Sequence, residues 1–228
     1  MNTICFHEFK SLFKSFKTLA IIGIIFGSSY LLADVMGQFM QELGTEELGK
    51  NGYAAGLMIL IVFFGLFFVS GLSHDTINRE VSSRTMRFLV TKTSRSKIII
   101  GKFLGISLFW ILCLFISFLL ISSFSKEFLW LSFAESLIFI TFSISLILLV
   151  SVIFPRPAVT MFFGIILALL FPAVSFWAIA TSNPFVSWFK FLSPYYYIYL
   201  GGPYITVPLA MTVLLLVLSI YLFKRSDL

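Results

Sequence analysis

The chain has 228 residues, of which 59% are apolar and only 11% charged; its mean hydropathy is +1.03 and its formal net charge +6. Soluble domains run near 45–50% apolar and about 25% charged, so a water-soluble globule and a disordered chain are both excluded. With 14 Gly and 2 Cys, collagen-like and disulfide-scaffold classes fall as well. An all-α integral membrane protein with several helical spans remains.

The first element is an amphipathic helix over residues 1–17. Cys5, Phe9, Leu12, Phe13 and Phe16 share one face, and Lys10, Lys14 and Lys17 share the other. That two-faced period suits a helix lying in the headgroup layer. A first span follows over 18–37, with Asp34 near its outer end. Between it and the second span, 54–72, lies an acidic loop with Glu42, Glu46, Glu47 and Lys50. Residues 44–51 approach the spelling of a phosphate-binding loop. Asn51 stands where the magnesium-holding Ser or Thr belongs, and two carboxylates inside the loop would repel phosphate, so no nucleotide site is read there.

Residues 73–101 form the largest loop. With Lys102 at its exit it carries seven basic residues, and it also holds the apolar run Met86, Phe88, Leu89 and Val90. A merely solvated loop has no use for that run. It either dips into the membrane surface or docks a partner. Lys102 is expected to snorkel toward the headgroups, and Glu80 to orient the loop by pairing with a nearby Arg. Spans over 103–124, 128–154 and 158–181 come next, with Glu135 about two turns into the middle one. Asp34 and Glu135 are candidates for a substrate pathway, because an ionisable residue inside a span is costly to place there. A structural pairing with Lys126 or Lys190 is the competing expectation. Residues 182–204 are aromatic, nearly uncharged and broken by Pro184, Pro194 and Pro203. They read as a re-entrant or interfacial hairpin on the outer side, before a last span over 206–223.

Six spans put both termini on one side. Thirteen of the sixteen Lys and Arg residues then fall on that side. Cytoplasmic loops are enriched in Lys and Arg, so both termini are expected in the cytoplasm of a plasma-membrane protein. The positive charge is thereby assigned to topology, and nucleic acid is not an expected partner. No histidine falls within a span and no CxxC pair occurs, which speaks against an intramembrane metal or histidine-dependent enzyme.

An amphipathic helix, six spans, a basic and partly apolar loop after the second, and a broken aromatic hairpin before the sixth make a recognisable order. The segment EVSSRTMRFLVTKTSRSKIIIGK, residues 80–102, resembles the corresponding loop of the permease subunits of type-2 ABC exporters. There a Glu is followed by Gly-Thr, a short apolar run, a Ser-Arg pair and Gly-Lys. The family Thr falls on Thr85, the apolar run on Phe88 to Val90, Ser-Arg on Ser94-Arg95, and Gly-Lys on Gly101-Lys102. Arg84 stands where the family has Gly, and the Pro expected before Ser94 is missing.

The resemblance implies a non-catalytic permease that forms the pathway with a second copy or a sister permease. It implies cytoplasmic ABC ATPase subunits as partners, with ATP and magnesium bound on them and no cofactor on this chain. The cargo would be a peptide, a drug or a lipid-like molecule, and the direction outward. Glu80, Arg84, Thr85, Arg87, Phe88, Leu89, Ser94 and Arg95 are the expected ATPase-coupling residues, with a short helix inside 85–97. The alternative is a non-transporting immunity or scaffold protein of the membrane.

Overall fold

The computed structural model describes residues 2–42 and 46–225, with side chains except at 37, 40–42 and 46–51. The phosphate-loop-like stretch 44–51 therefore lies outside the residues whose side chains are described. In chain order the helices are α1 (Asn2–Phe13), α2 (Phe16–Glu42), α3 (Glu46–Ser73), α4 (Asn78–Ser82) and α5 (Met86–Lys92). They continue with α6 (Arg95–Ser125), α7 (Trp130–Ile153), α8 (Pro157–Ala180), α9 (Pro184–Ser187), α10 (Pro194–Leu200) and α11 (Thr206–Arg225). Six helices, α2, α3, α6, α7, α8 and α11, are long and apolar enough to cross a membrane. Helices suit this composition because each satisfies its own backbone groups where lipid offers none. The fold is an all-α, six-span membrane protein.

The parity of six spans sets α1, α4, α5, the turn between α7 and α8 and the end of α11 on one face. The opposite face carries α9, α10 and the 3-10 turns Trp188–Leu192 and Gly202–Ile205. The amphipathic segment differs from its sequence reading at its end. It stops at Phe13, and Phe16 and Lys17 belong to α2, whose first turn starts from the Ser15 carbonyl. The physical reason is that α1 packs across α6 whereas α2 packs along α3, which one straight helix could not do. Gly105 makes the α1–α6 crossing possible. A Cβ there would stand 2.6 Å from the Cys5 carbonyl oxygen and 2.8 Å from the Glu8 Cβ. Beyond that point Phe13 meets Phe109 edge to face at 5.1 Å.

The main core runs through α6 and α7, the most enclosed spans, with Trp110, Phe118, Phe139, Ile144 and Ile147 buried. Helices α2 and α11 present most of their surface outward. A second, smaller core sits on the α4–α5 face and joins Ile77, Met86, Ile98, Ile99, Leu148 and Phe223. Gly56 is closely covered by Leu32 of α2, while Gly23 and Gly27 meet nothing within 4 Å.

Candidate functional site

The residues singled out between Glu80 and Arg95 fold as a hairpin of two short helices, α4 and α5. Its turn is Ser83-Arg84. Arg84 has φ 61°, in the left-handed region where a side chain costs roughly 1–2 kcal/mol and glycine costs nothing. This is the position at which the resemblance expects Gly. The turn is tied locally, with Ser83 Oγ and Thr85 Oγ1 2.8 Å apart and Thr85 Oγ1 donating to the Glu80 carbonyl at 3.3 Å.

Helix α5 has two faces. Met86 is buried, and Leu89 and Val90 are half-buried against the second core. Arg87, Phe88, Thr91 and Lys92 are all exposed, and their spacing follows one helical face; Arg84, in the turn before the helix, is exposed as well. Phe88 is 72% exposed. The expected pair of docking anchors is thus split: Phe88 points away from the bundle and Leu89 points into it. The helix expected within 85–97 is α5, and Ser94 stands at the start of α6 as its N-cap residue.

The hairpin is held to the spans by a buried charge cluster. Lys102, on α6, has no exposed surface. Its Nζ donates to Glu8 Oε1 at 2.5 Å, to Glu80 Oε1 at 2.8 Å and to the Thr76 carbonyl at 2.8 Å. Two expectations are corrected here. Lys102 does not snorkel outward, and Glu80 pairs with this lysine instead of an arginine. The reason is geometric: α1 lies over the mouth of α6 and closes the water side that Lys102 would have used. An ammonium has three N–H donors, and here each has an acceptor. Charges so deeply buried persist only when paired and hydrogen-bonded. Glu80 keeps its second oxygen, Oε2, buried without a partner among the described residues.

Two further fastenings lie on the same face. Asn78, fully buried, donates Nδ2–H to the Phe154 carbonyl at 3.2 Å and also meets Thr160 Oγ1, while the Ile77 amide donates to Ser151 Oγ at 3.1 Å. Arg95 turns back into the protein. Its Nη1 donates to the carbonyls of Phe223 and Lys224, both at 2.9 Å, at the end of α11. A cation suits the negative end of a helix. Arg95 therefore joins α6 to α11 and does not stand with Arg84 and Arg87 on the free face of α5.

The two carboxylates in the spans are not brought together with these residues. Asp34 is exposed on α2 and accepts from Gln38 Nε2 at 3.3 Å. Glu135 is half-buried on α7, beside a cavity of about 10 Å³ that Met58, Ile61 and Ile198 also line. Neither forms an ion pair with Lys126 or Lys190 among the described residues. Lys190 instead lies 5.2 Å from the Phe191 ring centre and 5.5 Å from that of Tyr196. On that face Tyr195 is packed among Phe139, Phe171 and Phe176. Burial pushes its phenol above the usual tyrosine range, and its hydroxyl has no partner among the described residues.

Sequence reasoning missed Glu8, Thr76, Asn78 and Thr160. Glu8 had a signal. It sits between Cys5 and Leu12 on the apolar stripe of α1, where a carboxylate makes sense only opposite a cation. The others had none, since their partners lie far along the chain.

A family model described as ABC-2 family transporter protein matches residues 7–228. That is nearly the whole chain, and the chain belongs to this family. No curated protein matches it.

Proposed function

We propose that this ABC-2 family chain is the membrane-spanning permease subunit of an ATP-driven exporter. Two permeases, identical or sister, form the pathway, and cytoplasmic ABC ATPase subunits dock on α5. ATP and magnesium belong to the ATPases. The observation that carries the reading is the division of α5. One face is locked into the second core, and the other presents Phe88 among Arg84, Arg87 and Lys92 to the surroundings. An exposed aromatic ringed by cations is an anchor of the kind that dominates interfaces, and it suits an acidic groove.

The mechanism follows from the fastenings. A push on α5 is delivered to α4 through the Ser83-Arg84 turn. Glu80 hands it to Lys102 and hence to α6 and α1, and Asn78 hands it to the α7–α8 junction. Arg95 links the same movement to α11. The basic excess on this face supports a cytoplasmic position for it and for both termini. Residues 182–204 then form a re-entrant hairpin at the outer surface. Asp34 and Glu135, in the outer halves of their spans, favour a cargo with a cationic group, carried on a peptide, a drug or a lipid-like molecule.

The test is the double substitution Arg87→Ala/Phe88→Ala. Both side chains are exposed, so insertion and thermal stability of the permease should match the unmodified chain. Co-purification of the ATPase should fall by at least about tenfold, the loss of one interface anchor. Normal ATPase association and normal transport in this variant would overturn the assignment.

A further inference from the structure

A cavity of about 130 Å³ opens on the α4–α5 face between α1, the first turn of α2 and the turn that joins α3 to α4. Its lining is polar and holds both charge signs: Lys17 and Arg79 against Asp75, with Thr18 and His74 beside them. Glu8 also borders it, but its carboxylate is turned to Lys102, which it shares with Glu80. Arg79 and Asp75 form an ion pair that is long, at 3.7 Å, and partly open to water, which leaves Asp75 room for a second cation.

Three features point to an occupant with a phosphate and an ammonium. Thr18 has no exposed surface, and its hydroxyl is buried without a partner among the described residues. The 27-residue helix α2 begins at the cavity, and a helix N-terminus draws anions through its free amides and dipole. Lys17 adds a full positive charge beside it. On the other wall are acceptors. Asp75 is a carboxylate. His74 Nδ1 lies 3.0 Å from the Ser70 carbonyl, and in the neutral ring this assigns the proton to Nδ1 and leaves Nε2 an acceptor. Next to the cavity, Phe16 is 84% and Leu19 57% exposed on the outer surface of α2, a lane for hydrocarbon.

We propose that this cavity binds the headgroup of one phospholipid of the adjacent leaflet, with its phosphate on Lys17, Thr18 and the start of α2, its primary ammonium on Asp75, and its acyl chains along Phe16 and Leu19. A lipid held there staples α1 to the α3–α4 turn. The site is independent of the outward face of α5, so docking and lipid binding are separable.

The experiment is native mass spectrometry of the delipidated full-length chain in detergent, titrated with dioleoyl phosphatidylethanolamine. One lipid should bind per chain, and dioleoyl phosphatidylcholine, which has no ammonium N–H, should bind several-fold more weakly. Lys17→Gln, an exposed change, should weaken binding about tenfold through loss of a charge-assisted bond, and Thr18→Val should act in the same direction. Lys92→Gln, on α5, should change nothing. Should Thr18→Val fail to fold, Lys17→Gln decides alone. Unchanged binding by Lys17→Gln overturns the site. Equal retention of the choline lipid overturns the ammonium assignment. Full competition by soluble glycerophosphoethanolamine overturns a membrane source for the ligand.

Discussion

The two ends of the helix bundle are held together by different physics. On the α4–α5 face the fastenings are directional and long in sequence: Glu8 to Lys102, Glu80 to Lys102, Asn78 to the Phe154 carbonyl, Arg95 to the end of α11. On the opposite face the contacts are aromatic, with Phe128, Trp130 and Phe133 clustered at the α6–α7 turn and Tyr195 set among three Phe rings. Among the described residues, side-chain hydrogen bonds on that face such as those from Tyr197 Oη to the Phe191 carbonyl and from Trp188 Nε1 to the Phe185 carbonyl are local. A directional bond holds one geometry and passes a displacement on. A ring packed on rings tolerates sliding, since no single contact is worth much alone. The difference suits the proposed function, in which the molecule is driven from one face and rearranges at the other.

The largest effect should come from breaking the charge cluster. Lys102→Met leaves Glu8 and Glu80 buried against each other with no cation, and it should cost about 3–5 kcal/mol. The measurement is the thermal midpoint at which the detergent-solubilised chain loses its monodisperse peak. The triple variant Glu8→Gln/Glu80→Gln/Lys102→Met removes all three charges together and should recover most of the loss. If the single and triple variants melt alike, the cluster is not an electrostatic fastening, and the contrast between the ends fails.

The aromatic end makes the opposite prediction. Tyr195→Phe removes a buried hydroxyl that has no partner among the described residues, so stability should stay within about 1 kcal/mol or rise. Tyr195→Ala removes the ring and should cost about 3 kcal/mol. A large loss from Tyr195→Phe would mean that this end, too, depends on a directional bond. Between these in size, Gly105→Val drives a side chain into the Cys5 carbonyl and should cost roughly 1–3 kcal/mol. Because it lifts α1 off α6, it should also open Lys102 to water. Faster amide hydrogen exchange in α1, with α8 unchanged, is the expected signature.

The spans were readable in the sequence for a physical reason. Apolar runs and helical periods are local properties, and six of the runs fall at or above the shortest length that crosses a bilayer, about 17 residues. The short helix α5 was readable as well, because an apolar run among arginines is out of place in a solvated loop, whereas α4 was not. What was not readable was partnership. Lys102 follows Gly101 at the head of an apolar span, and nothing local distinguishes a lysine that snorkels from one that is roofed by a helix 94 residues away. Arg95 carries the same lesson. Grouped by sequence with Arg84 and Arg87, it belongs by contact to α11. Leu89 and Phe88 are neighbours in the chain and face opposite ways, and only the helical turn of α5 separates an exposed aromatic from a residue packed on the core.

The smallest effect tests the turn through which the directional end is loaded. Arg84 adopts φ 61°, and its exposed side chain offers no buried contact in return for that conformation. The strain is roughly 1–2 kcal/mol, and a glycine relieves it while adding about 0.5–1 kcal/mol of chain entropy to the unfolded state. Arg84→Gly should therefore raise the stability of the isolated permease by a few tenths to about 1 kcal/mol, read from the same thermal midpoint. Arg84→Ala keeps a Cβ in the left-handed region and should give no gain. The pair separates backbone from charge, because both variants lose the guanidinium. If glycine and alanine shift the midpoint equally, the turn is not strained, and the arginine stands there for its charge alone.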